Sequence, residues 1–180
     1  MARDRVAAAG LADRVEVILR DYRDIEGRYS KIVSIEMLEA VGEEYRPVFF
    51  ATCDRLLEAG GSIGLQTITM PHPRHLASRH AYGWIHKYIF PGGLIPSREA
   101  IDRSLREAST LGVTHAAEIG HHYATTLRHW RTRFLEQRER VHALGFDHTF
   151  VRMWEFYLAC CEAGFATGAI GDAQLRLARP

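Results

Sequence analysis

Residues 31–70 read KIVSIEMLEAVGEEYRPVFFATCDRLLEAGGSIGLQTITM. The first seven are β-rich and nearly continuous in apolar character, as a strand covered on both faces is. From 43 to 61 apolar residues recur at helical spacing, with Phe49, Cys53, Leu56 and Leu57 on one stripe and Gly60-Gly61 to stop it. SIGLQTITM (62–70) then returns to strand character. Strand, helix, strand in that order is a parallel crossover, so the stretch predicts an α/β domain with a mainly parallel sheet and helices on both faces.

The flanks extend the alternation. Upstream, DRVAAAGL has helical spacing, VEVIL (15–19) reads as another strand running to Asp21, and RDYRDIEGRYS is turn-like. Downstream, the stretch at about 71–97 is rich in Pro, Gly and aromatic residues and follows no single period, which marks a lid-like insertion. Ser97 caps a predicted helix with Ile101, Leu105 and Ala108 on its stripe, ended by Gly112, and VTHAAEIG is the next strand. A longer helix carries Leu127, Trp130, Phe134, Val141 and Leu144 up to Gly145. Asp147 caps another with Phe150, Trp154, Tyr157, Leu158 and Cys161, and DAQLRLARP closes the sequence as an alternating strand.

With 180 residues, 47% hydrophobic and 25% charged, one globular domain is expected. Twenty-three Lys and Arg against 22 Asp and Glu give a net charge of +1, too little field to draw in nucleic acid. Cys53, Cys160 and Cys161 are odd in number with two adjacent, which suits a reducing, cytoplasmic setting better than a disulfide framework. No stretch approaches the roughly 20 apolar residues of a membrane span, and the first residues lack a signal peptide's apolar core.

In α/β sheets, ligands bind at the carboxyl ends of strands. Asp21, Glu36, Glu39 and Gln66 all fall at or near such ends. A buried carboxylate without a partner is costly, so the pair Glu36 and Glu39 is either solvated or bound to something; Glu36 equally suits electrostatic capping of the short helix that follows it. His72, His75 and His80 lack a metal-ligand spacing or a supporting carboxylate, so no metal site is expected.

Four separated motifs, DYRDIEGRYSKIVSIEMLEAVG, KYIFPGGLIPS, HHYATTLRHW and RMWEFYLACCEAGF, stand in one order along nearly the whole chain. Together they resemble the cyclopropane-fatty-acyl-phospholipid synthase family of S-adenosylmethionine-dependent methyltransferases. The resemblance implies a Rossmann-like methyltransferase fold and methyl transfer to the double bond of an unsaturated acyl chain of a phospholipid, giving a cyclopropane ring or a methyl branch. It also implies bicarbonate as the base that takes the proton, with Glu39 and Tyr123 holding it and Gln66 and Ile68 completing the pocket. Many relatives carry His where this chain has Gln66. Cys161 matches a cysteine often assigned to the site, although a Cys on a helix stripe is also an ordinary core residue. Asp21 and Tyr22 match the turn that contacts the adenine of S-adenosylmethionine, with Ile35 a further cofactor contact; Asp21 and Tyr22 suit an exposed turn as well.

As partners, the resemblance implies phospholipid acyl chains and a peripheral contact with the inner face of the membrane, for which Trp84, Tyr88 and Phe90, interleaved with His86 and Lys87, are suited. The glycine-rich cofactor loop of such enzymes has no match among these residues. The expectation is therefore a single partial methyltransferase domain over 1–180 that lacks the cofactor-loop strands and has a gap in its sheet. Completion would come from an N-terminal half on a separate chain or from a homo-oligomer; the alternative is a truncated, non-catalytic lipid-binding remnant or split subunit.

Overall fold

A four-stranded sheet organises the computed structural model, which describes all 180 residues. Strand β1 spans Tyr29–Ile35, β2 Leu57–Thr69, β3 Gly112–Glu118 and β4 Gly171–Ala178, in the spatial order β1-β2-β4-β3. The β1–β2 pair is parallel, and β4 lies antiparallel to both β2 and β3, so three of the four strands point the same way.

The crossover between β1 and β2 carries a short helix α2 (Leu38–Val41) and α3 (Arg46–Leu56), following α1 (Ala2–Ala8) near the start. Helix α3 ends earlier than its apolar stripe predicts. Leu57 already pairs with Tyr29, and the register then jumps to Lys31 opposite Ser62, so Glu58–Gly61 bulge out of the ladder. Gly60 takes φ +71° there, a conformation that favours glycine.

Between β2 and β3 come α4 (His72–Ser78), α5 (Trp84–Tyr88) and α6 (Arg98–Ala108), and the Ser97 hydroxyl caps α6 by accepting from the Ala100 amide at 3.2 Å. After β3, α7 (Gly120–Glu136), α8 (Arg138–Ala143) and α9 (His148–Ala166) lead to β4, with Asp147 capping α9 through the Phe150 amide at 2.8 Å. The single helix predicted up to Gly145 is thus divided at Gln137, where ψ is 17°. The side chains at the break include no helix breaker. Gly145, at φ +94°, ends α8 as expected.

Two apolar layers form on the two faces of the sheet. Side chains alternate along a strand, and Ile63 and Leu65 of β2 share one face with Ala173, Leu175 and Leu177 of β4, packed on Phe49, Phe50 and Cys53 of α3 and on Ile101 and Leu105 of α6. Each large side chain buried there stabilises the fold by about 1.5–3 kcal/mol. On the opposite face Ala124 and Leu127 of α7 meet Leu158 and Phe165 of α9, with Ile68 and Tyr123 against them. This second layer covers only the carboxyl end of the sheet.

Two expectations are corrected. VEVIL (15–19) is not a strand: no other strand lies beside it, and an extended segment without a ladder partner has nothing to hold it as one. Its Val15, Ile18 and Leu19 are exposed. Strand β1 is covered on one face only, since it is an edge strand whose Val33 and Ile35 are 70% and 60% exposed.

Candidate active site at the carboxyl ends of β1 and β2

The backbone leaves β1 through Glu36, the one non-glycine residue with positive φ, at +50°. Its amide still donates to the Gln66 carbonyl, at 2.9 Å. A left-handed carboxylate residue at a strand end is a conformational cost that accompanies functional sites. Glu36 does not cap α2, whose N-terminal neighbour is Met37. Its Oε1 instead accepts from the Tyr123 hydroxyl and, at 2.9 Å, from Gln66 Nε2.

Gln66 is the hub of this cluster. Nε2 lies 3.1 Å from the Tyr123 hydroxyl and 3.1 Å from Asp172 Oδ2 as well as against Glu36, while Oε1 accepts from Gln174 Nε2 at 2.9 Å. Asp172 is fully buried at the start of β4. Burial, with the Glu36, Glu39 and Glu118 carboxylates around it, pushes its pKa up to about 7. Burial and the Glu36 carboxylate also raise the Tyr123 phenol, which keeps its proton at neutral pH.

Glu39 lies on the other side of the β2 end. Its Oε1 accepts from the Ile68 amide and, at 2.9 Å, from the Thr67 hydroxyl, while Oε2 is buried with no partner. Burial raises its pKa against the opposing pull of those two donors. The carboxyl is thereby anchored by one oxygen, with the other buried and unpaired. Ile68 and Cys161 both pack against the layer that holds Tyr123. Burial raises the pKa of the Cys161 thiol.

The three expected cofactor residues stand apart from this group. Tyr22 packs on Phe49 with ring centroids 5.8 Å apart and lines a cleft of about 340 Å³ with Arg23, Met37, Ala40, Val41 and Tyr45. Asp21 caps the 3-10 turn Tyr22–Asp24, accepting from the Arg23 amide at 2.9 Å and pairing with its guanidinium at 2.7 Å, which holds the carboxyl down to about 2. Ile35 is exposed at the end of β1. Met37, just before α2, lines the cleft, while its neighbour Glu36 joins the Gln66 cluster.

Segment 71–97 leans over the carboxylate side. The Leu94 amide donates to the Glu39 carbonyl at 2.9 Å, and Arg79 pairs with Glu43 at 2.7 Å. Trp84 meets Phe156 edge-on at 4.9 Å, and Phe90 meets Tyr157 at 6.1 Å. His75 is fully buried with Nδ1 3.0 Å from the Ile95 carbonyl, and His72 Nδ1 lies 2.6 Å from the Ser97 hydroxyl, so both tie the segment to its own base.

Sequence reasoning placed Glu39, Gln66, Ile68, Tyr123 and Cys161 in one region and missed Asp172, Gln174 and Tyr157. A signal for the first two was present in DAQLRLARP, whose alternation puts Asp172 and Gln174 on the face opposite Ala173, Leu175 and Leu177. A carboxylate opening a strand on the side that faces two other carboxylates is the feature to look for.

The family described as mycolic acid cyclopropane synthetase matches residues 1–175. Tuberculostearic acid methyltransferase of Mycobacterium tuberculosis is 51% identical over 179 residues, which cover 99% of this chain and 42% of the relative. Cyclopropane-fatty-acyl-phospholipid synthase of Escherichia coli is 34% identical over 151 residues, 84% of this chain and 38% of the relative. The chain therefore spans less than half the length of these curated relatives. Among solved structures, a mycolic acid cyclopropane synthase complexed with SAH and CTAB superposes with a TM-score of 0.81 at 27% identity, over 94% of this chain and 64% of that one. A sarcosine dimethylglycine methyltransferase from Galdieria sulphuraria, similar at a TM-score of 0.76 and 13% identity over 97% of this chain and 63% of its own, shares the fold alone.

Proposed function

The chain belongs to the mycolic acid cyclopropane synthetase family, and on that premise we propose that its residues carry the acceptor side of an S-adenosylmethionine-dependent methyl transfer to the double bond of an unsaturated phospholipid acyl chain. The observation that carries the reading is the convergence of Glu36, Gln66 and Tyr123 on one point beside Glu39, at the carboxyl ends of adjacent parallel strands.

The residues suit the two small groups such chemistry requires. The cleft beside Tyr22 offers an aromatic ring and apolar walls to an adenine, and Asp21, ionised under all ordinary conditions, can accept from its amine. The unpartnered Oε2 of Glu39, on a carboxyl whose pKa burial raises, can accept from the hydroxyl of an anion such as bicarbonate. S-adenosylmethionine supplies the electrophilic methyl and bicarbonate the base that takes the released proton. The chain's own part is electrostatic and positional: Glu36 fixes the Tyr123 hydroxyl, Ile68 and Thr67 fix Glu39, and the nearby carboxylates favour positive charge developing on an acyl chain. Tyr157, Phe90 and Trp84 supply apolar rings beside the site to exclude water.

The same reading gives segment 71–97 the role of a lid that rests at a cytoplasmic membrane face. Tyr82, Tyr88 and Phe90 are exposed there, and an interfacial patch of this kind needs local apolar area more than net charge. It also expects the uncovered edge of β1 to be met by a further segment, on a separate chain or a second copy.

The test is transfer of labelled methyl from S-adenosylmethionine to phospholipid vesicles by a polypeptide that carries these residues together with a glycine-rich cofactor loop. Label is expected in monounsaturated phospholipid and not in the saturated counterpart. Equal labelling of both, or of neither, would remove the alkene as the acceptor.

A further inference from the structure

Gln66 lies at the centre of the side-chain hydrogen bonds that join the ends of β1, β2 and β4. A side-chain amide has a donor end and an acceptor end on one rotatable group, so it performs a defined task only if its neighbours dictate which end points where. Here three side chains from two elements do so. Two carboxyl groups, Glu36 at the end of β1 and Asp172 on β4, both face Nε2, at 2.9 and 3.1 Å, and a carboxyl oxygen that carries no proton accepts whether or not its twin is protonated. From the far side, Gln174 on β4 presents its amide N–H to Oε1 at 2.9 Å.

Register explains why β4 is the element that supplies the clamp. Gln66 and Gln174 are directly opposed partners in the antiparallel β2–β4 ladder, and Asp172 lies two residues along β4 on the same face. Asp172 can approach because α7 begins with a glycine. A side chain at Gly120 would stand 2.9 Å from the Asp172 amide and 3.0 Å from Gly171, so nothing larger lets the Ile119 amide reach the Asp172 carbonyl, at 2.8 Å. The groups around the Asp172 carboxyl are Glu36 from β1, Glu39 from α2, Gln66 from β2 and Glu118 from β3, with Tyr123 of α7 on the other side of Gln66 Nε2. No lysine, arginine or histidine forms an ion pair with any of these carboxylates. Gln66 is therefore the neutral donor that the cluster uses in place of a cation.

We infer that Asp172 and Gln174 are positioning residues that clamp the Gln66 amide from both ends, so that Gln66 turns one N–H to Asp172 and the other, and never its carbonyl, to the point shared by Glu36 Oε1 and the Tyr123 hydroxyl. The inference deepens the proposed reaction and rests on it for its meaning: it makes Gln66 a fixed hydrogen-bond donor at the anion side of the site. Asp172 orders Gln66, and Gln66 with Glu36 orders Tyr123. Asp172 touches no reacting atom in this arrangement.

The clamp is tested on the 180-residue chain without cofactor or lipid, by nitrogen-15 NMR of the Gln66 side-chain amide with Gln66→Leu to assign its signals. In the parent the two Nε2 protons should be distinct in shift and slow to exchange. Gln174→Leu changes an exposed position and should leave the backbone spectrum in place, yet speed Gln66 side-chain exchange by roughly tenfold, the equivalent of one hydrogen bond. Asp172→Leu should do the same or more, and Asp172→Asn, whose amide oxygen can still accept, should restore slow exchange. Unchanged Gln66 signals in Gln174→Leu, or an Asp172→Asn spectrum no slower to exchange than a freely rotating glutamine, would overturn the clamp. Because the readout involves no methyl transfer, loss of the clamp and loss of the proposed reaction are separate results.

Discussion

Glu36 and Asp172 set two carboxyl groups on one amide nitrogen, and that arrangement makes stability sensitive to pH. Asp172 binds its proton up to about 7 in the folded chain, against an ordinary value of 3.8. Between these values the folded state holds a proton that the unfolded state has released, so stability is greatest at the acid end and falls as pH rises towards 7. The upward shift of Glu39 acts in the same direction. Asp172→Asn should flatten the slope, leaving the variant at least as stable as the parent at pH 8, as thermal melts across pH would show; parallel slopes would place the Asp172 proton elsewhere. For the proposed chemistry, Glu39→Gln and Tyr123→Phe should each lower turnover by about 100-fold or more, in the range of general acid–base contributions, with little change in melting temperature. A fall in melting temperature with turnover intact would make these residues structural. At this scale the sequence points to Glu39, Gln66 and Tyr123 through strand ends and motif order, whereas Asp172 and Gln174 emerge only once β4 is seen to insert next to β2.

Among the elements, the caps and the crossover were legible because their causes are local. Ser97 and Asp147 accept from the amides three residues on, and Gly145 ends its helix as expected, whereas Gly60 sits in the bulge of β2 after α3 has already ended at Leu56. Ser97→Ala should cost about 1 kcal/mol, and more if the buried His72 contact is lost with it, as chemical denaturation would measure. The strand predicted at 15–19 was not legible, because an extended conformation depends on a partner strand that periodicity does not report. Nor was the break at Gln137, where no residue signals it. Segment 71–97 combines short helices with rings that touch α9, and its proposed membrane role separates from a core role by experiment. Trp84→Ser with Phe90→Ser should reduce sedimentation with phospholipid vesicles while the circular dichroism spectrum is kept, and the loss should depend little on salt. A folded double variant that still sediments as the parent does would move the membrane contact elsewhere.

Across the whole molecule, the uneven covering of the sheet is the dominant feature. One face is closed by α3 and α6, the other is closed only where α7 and α9 cross the carboxyl end, and β1 leaves Val33 and Ile35 exposed on an unpaired edge. Such an edge is a template for another chain. Val33→Lys should therefore reduce concentration-dependent association of the 180-residue chain in sedimentation velocity; a parent that stays monomeric at high concentration would count against the edge as a docking surface. The site itself sits at the carboxyl ends of β1 and β2, beside the layer formed by α7 and α9, and its hydrogen bonds are made among these residues. The central claim is that this geometry serves methyl transfer to an acyl double bond. The most direct measurement supplies S-adenosylmethionine bearing a deuterated methyl group, together with monounsaturated phospholipid, to a polypeptide that carries this site, and reads the lipid by mass spectrometry. Deuterium is expected on a new carbon at the former double bond, with one deuterium lost if the proton leaves the transferred methyl to close a ring, and all three kept if it leaves the acyl chain to give a methyl-branched alkene. Deuterium on the headgroup, or an unaltered double bond beside a labelled product, would contradict it.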